Sequence, residues 1–294
     1  MPKIETMNIG IIGLGLIGGS LAKAIKRFTQ HRVYVWNRTR ATAEKALAEQ
    51  AADAILESPA DYAQLDLMLL ALYPETTIEF VRKHIVELKA GAVIVDTCGT
   101  KSKVCQACQK LSEEQPGVTF IGGHPMAGIE QSGYEVSLAE LFANASMILV
   151  PPPKIDQKQL QQLQQFFLSL GFGTTKVTTA ETHDRVIAYT SQLAHLVASS
   201  YIKSPTALMH SGFSAGSFRD MTRVALLQES MWTELFLENQ EFLLPELDRL
   251  LKNLHDFRNA LQAKDAPALQ RLLHEGKTMK ITVNHLPEEP YSPL

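Results

Sequence analysis

Three cysteines in 294 residues, Cys98, Cys105 and Cys108, are too few and too odd in number to build a disulfide framework. An excess of one charge is missing too. The formal net charge is −3, and lysine and arginine gather into no stripe that could neutralise a phosphate backbone, so nucleic acid is not an expected partner. Long apolar runs are absent as well. The N-terminal stretch MNIGIIGLGLIGGS is interrupted by glycines, is too short to span a bilayer and has no basic segment followed by a cleavage site. The expectation is a cytoplasmic protein with no membrane contact. Histidines are present but scattered: His31, His84, His183, His210, His255, His274 and His285 form no spacing that suits metal ligands, and no metal is expected. The segment KVCQACQKL sets Cys105 and Cys108 one helical turn apart, where thiols act as small buried apolar groups. A redox pair or zinc half-site is the other reading, although no second pair exists to complete it.

What remains is an ordinary globular composition, with 45% hydrophobic and 20% charged residues, which excludes a disordered chain. The length suits two domains, since one domain takes roughly 100 to 200 residues. An apolar run, a glycine cluster and a helical pattern open the chain, followed by the β-branched run RVYVW. Further strand-like runs, LDLMLLAL, GAVIVDT, VTFIGG and SMILVPP, are separated by the helical segments ETTIEFVRKHIVEL and SKVCQACQKL. This alternation predicts an α/β domain with a doubly wound, mostly parallel sheet. A helix capped by Asp156 and stopped at Gly171, then the strand TTKVTT, complete it at residue 177. The predicted domains are 1–177 and 178–294. In the second, capping-box spacing between Thr178 and Glu181 opens a long helix that runs until Pro205. The segments from ESMWTELF onward are helical too, with a kink or break expected at Pro245. The second half reads as all helix, ending in a proline-rich tail without regular structure.

Gly13, Gly15 and Gly18 form G-x-G-x-x-G between a strand and a helix, with a second strand close behind. The first glycine permits a tight turn, the second lets a pyrophosphate approach the backbone, and the third lets helix and strand pack closely. Gly13, Gly15, Leu16, Ile17 and Gly18 are therefore the expected cradle for a dinucleotide, its anion held by free amides at the helix start. The second strand ends in Asn37, Arg38 and Thr39 where an NAD site would place a carboxylate. An arginine beside an amide and a hydroxyl suits a 2′-phosphate, which favours NADP; Arg38 stacking on the adenine of NAD is the alternative.

His124 stands in GGHPMAG, directly after a predicted strand, near the carboxyl end of the sheet where ligands of open α/β sheets bind. Gly122 and Gly123 allow close backbone approach, and Pro125 restricts the histidine to extended geometry. A ring fixed beside a nicotinamide can take a proton from a hydroxyl while hydride leaves the carbon. On spacing alone, a structural, hydrogen-bonded histidine fits as well.

With these motifs in order, IGLGLIGGS, GGHPMAG, EQSG, ILVP, HDRVIAYTSQLAHLVA, GSFRDMTRVA and MWTELFLEN, the chain resembles the prephenate and arogenate dehydrogenases over nearly its whole length. The resemblance implies a Rossmann-type domain, a helical domain that builds a homodimer, and a cleft between them for a small-molecule substrate. There, prephenate or arogenate would lose hydride and carbon dioxide and become aromatic. It makes His124 the catalytic residue, hydrogen-bonded to the ring hydroxyl, and Arg223 the group that binds a substrate carboxylate. Guanidinium suits that task through its planar fork. Arg219, four residues earlier, is a second choice, and either arginine could instead be solvated or paired with Asp220. His195 matches a histidine lining the substrate pocket, though with Ala188, Gln192 and Ser199 it could equally form an interhelical seam.

Two departures stand out. SQLAH replaces the family's SHLPH, which puts Gln192 in a histidine's place. In DTCGTK, Gly99 takes the position of a serine that would assist the catalytic histidine; Thr100 is the neighbouring hydroxyl, and Lys101 is either an electrostatic neighbour of the substrate or a surface lysine. His183 and Asp184 open the long helix, with capping and domain contact as their expected work. The leading expectation is a prephenate dehydrogenase using NADP or NAD, with arogenate dehydrogenase as the runner-up. More distant readings are a β-hydroxyacid dehydrogenase or imine reductase, and a dinucleotide-binding regulator without turnover. From the chain length, no regulatory domain is expected after the helices.

Overall fold

A computed structural model describes residues 6–286. Eight strands form one sheet in the order β3-β2-β1-β4-β5-β6-β7-β8. They are β1 (Asn8–Ile12), β2 (Arg32–Trp36), β3 (Ala54–Ile55), β4 (Leu67–Leu70), β5 (Val93–Asp96), β6 (Thr119–Pro125), β7 (Ser146–Val150) and β8 (Thr174–Val177). Neighbours run parallel except β6 and β7, which pair antiparallel with His124 opposite Ile148. The strands are short apolar runs because helices cover both faces. LMLL in β4 and VIVD in β5 are buried throughout. Side chains alternate between two cores: Ile9, Val33, Leu69 and Val95 enter one, while Ile12, Met68, Ile94 and Phe120 enter the other.

The helices flanking the sheet are α1 (Leu16–Phe28), α2 (Arg40–Ala48), α3 (Pro59–Tyr62), α4 (Pro74–His84), α5 (Ser102–Glu114) and α6 (Gln157–Ser169). As its sequence predicts, α6 begins at Asp156, whose carboxylate accepts from the Lys158 amide, and it ends before Gly171 at φ +97°. Three elements were not anticipated: β3, α2 and α3. β3 has two residues and α3 four, too short to show a period.

The second half is helical: α7 (Ala180–Ile187), a π-helical turn (Ala188–Leu193), α8 (Ala194–Tyr201), α9 (Gly216–Thr222), α10 (Glu229–Glu238), α11 (Gln240–Ala263) and α12 (Ala266–Asn284). Its first cap is Thr179, one residue beyond the expected Thr178; the Thr179 hydroxyl accepts from the Thr182 amide. A break at Pro245, one of the two outcomes expected there, does not occur. Pro245 lies inside α11, and the break falls earlier, at Asn239, where the side chain is drawn inward by two hydrogen bonds. Nor is the helix through His195 regular, since the π turn resets its face midway. The proline-rich tail lies, from residue 287 on, outside the described residues. Among the described residues, no helix is long and apolar enough to cross a membrane.

Candidate active site

The order of strands reverses at β1, which lies between β2 and β4, so the crevice at their carboxyl ends is the place where such sheets take ligands. The chain leaves β1 through Gly13, which adopts φ +90° and donates its amide to the Trp36 carbonyl at 2.8 Å. A Cβ on Gly13 would lie 2.4 Å from the Ala71 carbonyl oxygen, and one on Gly18 would lie 1.8 Å from that of Gly13. These two glycines are steric necessities. Gly15 differs, because nothing stands within 4 Å of its missing Cβ. Open space at Gly15, no side-chain cap on α1 and no acidic residue in its first turn leave the amides around Leu16 and Ile17 ready for an anion. The residues present therefore fit a dinucleotide pyrophosphate.

At the end of β2 the expected trio divides. Asn37 accepts from the Leu14 amide at 2.9 Å and donates to the Thr39 carbonyl at 3.0 Å, so its amide braces the glycine turn. Arg38 and Thr39 are exposed. Arg40 is paired with Glu44 and Glu57, whereas Arg38 has no acidic partner among the described residues.

Beneath β6 lies a fully buried ion pair between Lys101 and Asp96. The Lys101 ammonium also donates to the Gly123 carbonyl at 2.6 Å, and Asp96 accepts from the amides of Cys98 at 2.8 Å and Gly123 at 3.1 Å. Burial works against the ammonium, but Asp96 outweighs it and holds the lysine's pKa above its ordinary value. Lys101 is thus neither a surface lysine nor open to substrate; it anchors the strand that carries His124.

His124 is half-buried, and its Nδ1 lies 2.8 Å from Nε2 of His183. His183 is buried at the start of α7, with Nδ1 2.7 Å from Oδ1 of Asp184. Asp184 in turn accepts from the amides of Lys101 and Ser102, both at 2.7 Å, and so holds the start of α5. Burial lowers the affinity of both imidazoles for a proton. For His124 the neighbouring His183 and Lys101 add to that, and it stays neutral well below the usual histidine range. The cap of α7 is Thr179, not His183 or Asp184; Asp184 makes its contact at the start of α5, and the chain of side chains reaching His124 was not foreseen.

On the helical side, Nδ1 of His195 donates to the Ser191 carbonyl at 2.8 Å, and the ring packs on Trp232 at 4.0 Å between centroids. Burial, opposed by that Ser191 bond and helped by the charge of Arg223, lowers the His195 pKa. Arg223, just beyond α9, is 64% exposed in its side chain and lies 3.6 Å from Glu130, on the loop that leaves His124. The structure thus brings His195 and Arg223 together beside the loop following β6. Arg219 is exposed on α9, and among the described residues it has no ion pair, with Asp220 or any other acid.

Two further residues expected at the substrate are engaged in the scaffold instead. Gln192 is buried, donating to the Leu235 carbonyl at 3.0 Å and accepting from Asn239 at 2.7 Å. The Thr100 hydroxyl, also buried, donates to Glu238 at 2.7 Å, and Glu238 pairs with Lys103 at 3.2 Å. Gly99 has a packing reason: a Cβ there would stand 3.3 Å from Leu235 of α10. All three cysteines are buried and free, and burial pushes the Cys105 thiol up to about 12, which marks them as packing groups. Sequence reasoning missed Asn239, Glu238, Glu130 and Trp232 as partners, since their neighbours are distant in the chain.

Known proteins place this arrangement in context. Residues 21–175 match the family model of the prephenate dehydrogenase nucleotide-binding domain, and residues 179–275 that of the prephenate dehydrogenase dimerization domain. The chain is 31% identical over 287 residues to the cyclohexadienyl dehydrogenase of Zymomonas mobilis, covering 94% of this chain and 96% of that one. The crystal structure of Aquifex aeolicus prephenate dehydrogenase with hydroxyphenyl propionate and NAD+ superposes with a TM-score of 0.82 at 27% identity, covering 96% and 99% of the two chains. Synechocystis arogenate dehydrogenase gives 0.79 at 27% identity, covering 94% and 100%.

Proposed function

Because the chain belongs to the prephenate dehydrogenase family, we propose that it oxidatively decarboxylates prephenate to 4-hydroxyphenylpyruvate, with His124 as base and a nicotinamide dinucleotide as hydride acceptor. The observation that carries the reading is His124 at the carboxyl end of β6, neutral and therefore able to accept a proton. When bound, the dinucleotide supplies the acceptor for the hydride leaving the substrate carbon. The chain's own residues do the rest. Nε2 of His124 takes the ring hydroxyl proton as the carbonyl forms, relieving positive charge at that oxygen. Loss of the ring carboxylate as carbon dioxide then leaves an aromatic product. Arg223 is proposed to hold a substrate carboxylate through its fork, with Arg219 in reserve and His195 as a neighbouring contact.

Gly13, Gly15, Leu16, Ile17 and Gly18 are the proposed pyrophosphate cradle. The proposed preference is for NADP, supported by Arg38, which has no acidic partner among the described residues, beside the exposed Thr39, with NAD as the alternative. We also propose a cytoplasmic homodimer formed through the helical half, with the domain boundary between residues 177 and 178. Leu208, 91% exposed, and Phe213, 93% exposed, support a subunit interface, since apolar groups so bare call for a cover. A single-subunit mass by light scattering at micromolar concentration would overturn the dimer.

Activity is tested by supplying prephenate and, separately, arogenate, each with NAD or NADP, and following reduced cofactor at 340 nm. Prephenate turnover that disappears in His124→Asn is the expected result. Turnover of arogenate alone would reassign the substrate, and silence in all four mixtures would remove the reading.

A further inference from the structure

The contacts around His124 fix more than its position. The Asp184 carboxylate can only accept, so Nδ1 of His183, 2.7 Å from Oδ1, carries a hydrogen. Neutral His183 then has a bare Nε2, which can only accept. Nδ1 of His124 stands 2.8 Å from that nitrogen and must be the donor. A neutral His124 with its hydrogen on Nδ1 keeps the lone pair on Nε2. This is the form a base needs.

We propose that His183, anchored by Asp184, is a positioning residue that locks His124 as the Nδ1–H tautomer and so keeps Nε2 free for the substrate hydroxyl. The proposal rests on His124 being the base. Gly99, where the sequence led us to expect an assisting serine, has no hydroxyl to do such work. A Cβ at Gly99 would stand only 3.3 Å from the Leu235 side chain, and the Thr100 hydroxyl donates to Glu238. His183 is the one hydrogen-bonding partner of the His124 ring among the described residues.

The anchor is itself held across the two halves of the molecule. Asp184 belongs to α7, yet its oxygens accept from the Lys101 and Ser102 amides at the start of α5. The Lys101–Asp96 pair also faces this group. One proton balances the step: it leaves the substrate oxygen, binds Nε2 of His124, and the resulting imidazolium keeps its Nδ1–H on His183. The Asp184 carboxylate, at the far end of the chain, offsets the added charge.

The experiment uses full-length protein with 13C- and 15N-labelled histidine, free of dinucleotide and substrate. Nitrogen shifts of His124, assigned by loss in His124→Asn, report the tautomer directly. Nδ1–H is expected in the wild type. His183→Gln offers a carbonyl oxygen to the same Nδ1–H, so it is expected to keep that tautomer and turn over within about tenfold of wild type. His183→Leu offers nothing. Its His124 is expected to shift toward Nε2–H, with kcat falling about 100-fold or more while KM for prephenate stays within about threefold.

An Nε2–H signal in the wild type would overturn the proposal, as would a leucine variant that keeps both tautomer and turnover. Should the leucine variant not fold, the wild-type spectrum and the glutamine variant still decide. Failure of the base reading looks different: His124→Asn would then retain turnover, whatever the wild-type tautomer.

Discussion

Nδ2 of Asn239 donates to Oε1 of Gln192 at 2.7 Å, and the same amide donates to the Asp184 carbonyl at 2.9 Å. One buried side chain therefore ties the break between α10 and α11 to the helix that presents His183. Asn239→Ala would leave the Gln192 oxygen and the Asp184 carbonyl buried without this donor. The expected loss is about 2 to 3 kcal/mol, read from urea unfolding. A change under about 0.5 kcal/mol would mean that water replaces the amide freely.

Arg38 is the residue that should separate the two dinucleotides. In Arg38→Ala, kcat/KM with NADP is expected to fall about 10- to 100-fold, the worth of a charge-assisted bond to phosphate, while the NAD value changes little. Equal losses with both cofactors would place Arg38 on the adenine instead.

Arg223 is expected to act through geometry as well as charge. Arg223→Ala should raise KM for prephenate about 100-fold, and Arg223→Lys should recover only a small part of that, because an ammonium cannot grip a carboxylate with two parallel bonds. Initial-rate kinetics at saturating cofactor provide the check. Full recovery by lysine would show that simple charge is enough.

Histidine burial gives acid sensitivity a direction. His124 and His183 are held below their ordinary value of 6.5, mainly because burial penalises the imidazolium. Below about pH 6.5 the unfolded chain takes up protons that the native rings refuse, so folding stability should decline as pH falls from there. Asp184 pushes the same way in more acidic solution. Burial opposes its ionisation, but hydrogen bonds from His183 and Ser102 hold its carboxyl low, and their contribution is lost as it protonates. Lys101, with its pKa raised by Asp96, contributes stability that is lost only as pH climbs past the ordinary lysine range. Thermal melts from pH 8 down to 5 should show a falling midpoint below 6.5. The acid limb of kcat/KM, set by free His124, should likewise lie below 6.5.

Local pattern carried a great deal of this molecule. The glycine turn, the longer strands and the Asp156–Gly171 helix were legible because each rests on neighbouring residues with a clear period or cap. β3 was not, since two residues show no alternation. Lys101 misled in its surface reading. A lysine at a helix start looks solvated, and only the fold shows it turned inward against Asp96, five residues earlier. His124 and His183 are 59 residues apart, so their contact belongs to tertiary packing. Thr100 and Gln192 looked like pocket residues by position, but Glu238 and Asn239 claim their polar atoms, and neither pairing has a sequence signal.

The π turn at Ala188–Leu193 leaves the helix between His183 and His195 with one residue more than regular winding would use. Excising a single residue there would restore an unbroken α-helix with its downstream face kept, whereas regular winding with that residue retained would swing everything downstream by about 100°. His195 and Trp232 would part company while His183 stayed in place. The wide turn thus absorbs the extra residue and keeps His195 aimed at Trp232.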